Sequence, residues 1–208
     1  PLFSKLSLRL AGYSSIDHYM DSSIKDSSYQ YASTTIFVSP QDRLSFNTKI
    51  SYLYVIHSER AYNSEKYSFK PELKYDFTTN KSGVFYYQRD STTYSNTGND
   101  SNKNVLFGSF EWTLRKQFIA PYIKYRDRPR VSEIYYGLDW STYFKKRQWV
   151  GVDIAFVDRK DSNSEPSSEQ EIDVNLKYSF FLTRKMSLNI NVSALQAQSN
   201  FDNTADNF

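Results

Sequence analysis

"KYSFKPELKYDF", residues 66–77, alternates without a miss. Tyr67, Phe69, Pro71, Leu73, Tyr75 and Phe77 fall on one parity, and Lys66, Ser68, Lys70, Glu72, Lys74 and Asp76 on the other. A period of two is the mark of a β-strand with one apolar and one charged face. The fold follows from which of those faces meets water.

The same alternation recurs along the chain. Strands are expected at about 3–13, 29–38, 43–57, 66–77, 83–90, 104–114, 118–126, 134–143, 149–158, 171–182 and 186–197. In the clearest of them, Ile172, Val174, Leu176, Tyr178, Phe180 and Leu182 oppose Glu171, Asp173, Asn175, Lys177 and Ser179. The second segment has an ambiguous parity, and the fifth is short and mixed. No window satisfies the i, i+3, i+4, i+7 helix template where the dyad repeat is strong. The connections are expected to alternate strictly in length. "SPQD", "TTNKSG", "LRKQ", "FKKRQ" and "LTRK" are short turns. "SSIDHYMDSSIKDSS", "SERAYNSE", "DSTTYSNTGNDSNK", "DRPRVSE" and "DRKDSNSEPSSEQ" are longer and polar.

Composition narrows the class. The 208 residues suit a single domain, read here as spanning 1–208, and their aromatic content of 17% argues against disorder. A net charge of +3 from 26 basic and 23 acidic residues gives no reason to expect a nucleic-acid partner. The absence of cysteine excludes disulfides and thiolate metal sites. No run of 18 apolar residues forms a transmembrane helix, and "PLFSKLSLRL" alternates as a strand does and does not form the apolar block of a leader.

A soluble sandwich also alternates, with its apolar face inward. Three features favour a lipid-facing apolar side. The strands run to about 10–14 residues, enough to cross a bilayer when tilted. Long and short connections segregate as in an up-and-down transmembrane barrel. Aromatics gather near strand ends, at Tyr75, Phe77, Trp112, Trp140, Tyr143, Trp149, Phe180 and Phe181, as interfacial girdles do. On this pattern the chain resembles bacterial outer-membrane β-barrel proteins over nearly its whole length. The resemblance implies an all-β, antiparallel up-and-down barrel in the outer membrane, with a periplasmic N-terminus and extracellular long loops. It also implies partners in the bilayer, in lipopolysaccharide and in further domains or subunits. Such barrels have an even number of strands. Eleven are readable, and "QSNFDNTADNF" reads as an extracellular loop, so at least one closing strand is expected beyond them. Pro71 and Pro121 fall inside strands, where a bulge or local break is expected.

The charged parity carries the candidate site. Lys49, Lys66, Lys70 and Lys74 form a basic wall, and Lys5, Arg9, Lys124 and Arg126 share their parity. Asp139, Asp153, Glu171 and Asp173 form an acidic wall. Lining a water-filled lumen, such walls set the selectivity of a porin-like channel for small hydrophilic or charged solutes. Two alternatives are the barrel of an export or assembly machine and an adhesive barrel with ligand-binding loops. Enzymatic activity is not expected. His18 and His57 lie at strand ends near Asp17, Asp21 and Glu59, and read as solvated residues more readily than as rim catalysts. No cofactor or metal is expected, because there is no phosphate loop or His-rich cluster, and the acidic "DSNSEPSSEQE" reads as a solvated loop.

Overall fold

A computed structural model describes residues 5–17, 27–57, 63–94, 101–145, 148–161, 167–181 and 187–200. Eleven strands follow one another in chain order: β1 (Lys5–Asp17), β2 (Ser27–Gln41), β3 (Leu44–His57), β4 (Ser64–Thr78), β5 (Lys81–Tyr94), β6 (Ser101–Leu114), β7 (Gln117–Arg128), β8 (Val131–Lys145), β9 (Gln148–Asp161), β10 (Ser167–Phe181) and β11 (Ser187–Asn200). They form one antiparallel up-and-down sheet in which each strand neighbours the next. Every segment expected from the dyad repeat coincides with a strand of 12–15 residues, all but β3 longer than expected, with residues 3–4, 182 and 186 of the expected segments outside the described residues. The extension comes from polar residues: serine, asparagine and charged side chains at strand ends continue the ladder where they suggest loop.

Burial is inverted relative to a soluble protein. On β10, Ile172 is 47% and Leu176 is 44% exposed, whereas the neighbouring Glu171 is 5% exposed. The same holds in β8, where Tyr136 and Leu138 are exposed while Glu133 is 1% exposed. Large apolar side chains project outward, and the inward parity is polar and charged. The only buried hydrophobic residues among those described are Val105, Ala120, Tyr135, Ala155 and Val157, too few for the apolar core of a water-soluble domain.

The chain divides into two compact units, Pro1–Tyr75 with Tyr86–Leu106 and Asp76–Phe85 with Phe107–Phe208. In the first, the β1–β2 and β2–β3 registers resolve the ambiguous parity of β2. Ile36 and Val38 pair with Leu8 and Leu6 on the apolar face, leaving Tyr29, Tyr31 and Phe37 on the polar one. Cross-strand aromatic pairs stabilise the ladder by about 0.2–1 kcal/mol each. Tyr13 stacks on Tyr31 with centroids 4.9 Å apart, and Tyr52 meets Tyr67 at 4.9 Å. A bulge lies between Val38 and Gln41, where Pro40 cannot donate to the ladder and the Ser39 hydroxyl donates to the Gln41 carbonyl at 2.8 Å.

In the second unit, β7 pairs with β8 in continuous register, and β8 with β9 up to a shift between Tyr143 and Lys145, around a small cluster of Tyr135, Ala155 and Val157 against Tyr122. Each proline leaves one of its neighbouring ladders intact, where a bulge or break is expected. The register runs unbroken through Thr48↔Pro71 and through Pro121↔Leu138. A strand residue directs its amide to only one neighbour, so a proline forfeits a bond on one side and leaves the Cα pairing intact.

The strict alternation of connection lengths is also corrected. "DRPRVSE" is not a long loop: β7 ends at Arg128 and β8 starts at Val131, with only Pro129 and Arg130 between. Its Asp127, Arg128 and Glu133 lie in strands, and Arg128 pairs with Glu133. Arg115 and Arg130 enter the left-handed region, with φ of 54° and 74°, each at a two-residue turn. Trp149 also departs from the girdle expected of it. It lies on the polar parity, and its ring sits where a Cβ on Gly151 would approach within 2.7 Å.

Candidate functional site

The polar face of the first unit carries the basic residues, and neighbouring strands compensate some of them. Lys66 on β4 reaches Asp90 on β5 at 3.1 Å. Asp90 is 3% exposed and also accepts from the Ser68 hydroxyl at 2.7 Å and the Gln88 amide at 2.9 Å. Lys70 pairs with Glu72 at 3.4 Å and lies 3.8 Å above the Tyr86 ring. Lys49 stands directly opposite Lys70 in the β3–β4 register. Its ammonium lies 5.8 Å from the Tyr31 ring, and among the described residues it meets no carboxylate. Lys74 is opposite Ser45. Lys49 is therefore the exposed positive charge of this wall, and Lys66 is largely a structural partner of Asp90.

The second unit holds two arrangements on its polar face. Near the β7–β8 turn, the Glu133 carboxylate is out of contact with solvent and is surrounded by guanidinium groups. It pairs with Arg126 at 3.2 Å, with Arg128, and with Arg159 at 3.1 Å, and it accepts from the Tyr135 hydroxyl at 3.0 Å. Arg159 continues to Glu171 at 2.7 Å and Glu169 at 3.3 Å. The network joins β7, β8, β9 and β10. A buried carboxylate is tolerated only when its charge and lone pairs are met in this way.

Farther along the same strands lie Asp139, Asp153 and Asp173. Asp139 and Asp153 are direct cross-strand partners, a like-charge pairing that is unfavourable in itself. The Tyr122 hydroxyl donates to Asp153 at 2.9 Å, and the Asn175 amide donates to Asp173 at 3.0 Å. Tyr122 reaches Asp153 by crossing β8 at Gly137, its register partner. A Cβ at Gly137 would lie 2.1 Å from the Tyr122 ring.

The residues chosen from sequence therefore divide. Lys49, Asp139, Asp153 and Asp173 lie on the polar face without a cationic or anionic partner among the ion pairs of the described residues. Lys66, Lys70 and Glu171 are in ion pairs. Sequence reading left Glu133, Arg128 and Arg159 in loops and did not single out Asp90 or Tyr122. The available signal was parity: Glu133, Arg159 and Asp90 each continue the polar parity of the adjoining strand. His57 ends β3, and His18 lies outside the described residues. Among the described residues no group of three or more His, Cys, Asp or Glu is placed to hold a metal.

No protein-family model matches the chain, and no curated protein matches it. Among solved structures, the chain is similar to the siderophore receptor PirA from Pseudomonas aeruginosa, with a TM-score of 0.56 and 11% sequence identity. The match covers 94% of this chain and 40% of the receptor chain. The likeness is one of fold, and the chain spans 40% of the length of the receptor it resembles.

Proposed function

We propose that this chain forms barrel wall in a bacterial outer membrane, and that its charged face lines a passage for small hydrophilic or charged solutes. The observation that carries the reading is the inverted burial: Leu176 faces outward at 44% exposure while Glu171 is 5% exposed. Lipid solvates the outward leucines, isoleucines and aromatics at no cost, whereas water would not. In this reading selectivity comes from the charges outside direct ion pairs, Lys49 on one unit and Asp139, Asp153 and Asp173 on the other. The N-terminus is periplasmic, and the long connections between β1 and β2, β3 and β4, and β5 and β6 are extracellular. The polypeptide that closes the wall lies outside the described strands, as further strands, domains or subunits.

The test is conductance in planar bilayers, using the protein reconstituted with any polypeptide needed to close it. A steady, salt-dependent current supports diffusion. A folded, inserted barrel without current removes the channel reading.

A second reading draws support from the receptor likeness and from the 40% coverage of that longer chain. Here the wall belongs to a larger uptake receptor whose lumen is obstructed, as in large plugged barrels. That reading expects no steady current and saturable binding of a ferric chelate.

A further inference from the structure

Cations stand in or beside the short connections, a feature that the function above does not use. "QDR", "TNK", "LRKQ", "FKKRQ" and "LTRK" all carry lysine or arginine, and Asp42 is the only acid in these stretches. In the second unit, this end of the sheet is built as a ledge. The Thr113 amide donates to the Asn80 carbonyl at 2.8 Å, tying the β4–β5 turn to β6. The Tyr143 amide donates to the Lys116 carbonyl at 3.2 Å, tying the β6–β7 turn to β8. Between the latter two lies an open cavity of about 590 Å³, lined by Leu114, Arg115, Lys116, Gln117, Thr142 and Tyr143.

Both cations of that cavity are exposed, and neither has a carboxylate partner among the described residues. Leu114 and Thr142 lie on the apolar parity of their strands, so one wall adjoins the outward face. On that same face, the Lys81 ammonium lies 5.0 Å over the Trp112 ring, and Phe77 is 48% and Phe144 71% exposed. Aromatic rings and snorkelling lysines together mark the depth where hydrocarbon gives way to headgroups. A pair of cations just beyond that depth, over a cavity with an apolar wall, is complementary to a phosphate carried on acyl chains.

We propose that the Arg115–Lys116 turn is a binding site for the headgroup phosphate of an anionic glycerophospholipid in the leaflet at the short-turn end. The site rests on the transmembrane reading above. Arg115 and Lys116 hold the phosphate, Gln117 and Thr142 supply polar contacts, and Leu114 borders the first carbons of the lipid. A cation at an anionic lipid surface is worth about a fivefold change in affinity. Arg130 provides a matched reference. It occupies the same kind of two-residue turn with the same left-handed backbone, at the other end of β7, about 40 Å away.

The full chain, inserted in membranes and extracted into zwitterionic detergent, is titrated with dioleoylphosphatidylglycerol or dioleoylphosphatidylcholine and followed by native mass spectrometry. Phosphatidylglycerol is expected to bind in preference. Arg115→Asn with Lys116→Gln should weaken that binding by about 25-fold, Arg130→Asn should leave it unchanged, and the charge-preserving Arg115→Lys with Lys116→Arg should retain it. Excess inorganic phosphate should not displace the lipid. Equal binding of the two lipids, equal loss in Arg130→Asn, or displacement by phosphate overturns the site. Flotation with pure phosphatidylcholine vesicles separates the two readings. A chain that does not insert when supplied with the polypeptide that closes the wall refutes the transmembrane reading and the site with it, whereas a chain that inserts without headgroup preference refutes the site alone.

Discussion

Glu133→Gln removes the negative charge at the centre of the guanidinium network while keeping the shape of the side chain. The carboxylate has no solvent contact, and it meets Arg126, Arg128 and Arg159 together with the Tyr135 hydroxyl. Breaking a buried ion pair from one side costs about 3–5 kcal/mol, because a charge is left uncompensated. Here the cost falls unequally. Arg159 keeps Glu171 and Glu169, and Arg128 is 41% exposed and can rehydrate. Arg126, at 27% exposure with a buried Nε that has no hydrogen-bond partner, bears most of the loss. The expected destabilisation is therefore at the lower end, about 3 kcal/mol. Removing Arg128 instead, as Arg128→Met, should cost about 1 kcal/mol, as for a half-exposed pair. Urea titration of unfolding from lipid vesicles, followed by tryptophan fluorescence, measures both, and the double variant gives their coupling. A Glu133→Gln cost below that of Arg128→Met would refute the reasoning, since the carboxylate would then not be the shared partner of the network.

Other changes probe the two faces. Gly137→Ala should displace the Tyr122 ring and break its bond to Asp153, visible as a change in near-ultraviolet circular dichroism with the strand content unchanged. Lys49→Glu, opposite Lys70, should shift the selectivity of the reconstituted channel toward cations, measured by reversal potential, and an unchanged selectivity would remove Lys49 from the selectivity wall. Leu176→Arg places a charge on the outward face and should destabilise the inserted protein by about 2–4 kcal/mol if it lies near the midplane. Asn175→Arg, one residue away and beside Asp153 and Asp173, should fold and insert, and vesicle-refolding yields compare the two.

The strand count and the two faces were legible because exposed apolar side chains on one side and the ion network on the other impose the same period of two. A single stretch such as 66–77 contains both. The strand ends were less legible, because at the tips the apolar parity lapses and only polar residues carry the ladder. Asp90 and Glu133 were missed for that reason: each stands at the polar edge of an expected strand, yet each is surrounded by cations or donors on its own and adjoining strands. Sequence alone also cannot separate Lys49 from Lys66, since the parity is shared and only the cross-strand neighbour decides whether a carboxylate is in reach. Tyr122 and Gly137 illustrate the same point. Neither is unusual by itself, and their relation exists only in the register of β7 against β8.

The central claim is that the apolar parity faces lipid and the polar parity faces water. Spin labels at residues 176 and 175, on the reconstituted protein, test it most directly by collision with dissolved oxygen and with an aqueous paramagnetic complex. The account predicts that oxygen relaxes the label at 176 and the aqueous reagent relaxes the label at 175. Equal aqueous access at both positions, or none to oxygen at 176, would contradict it.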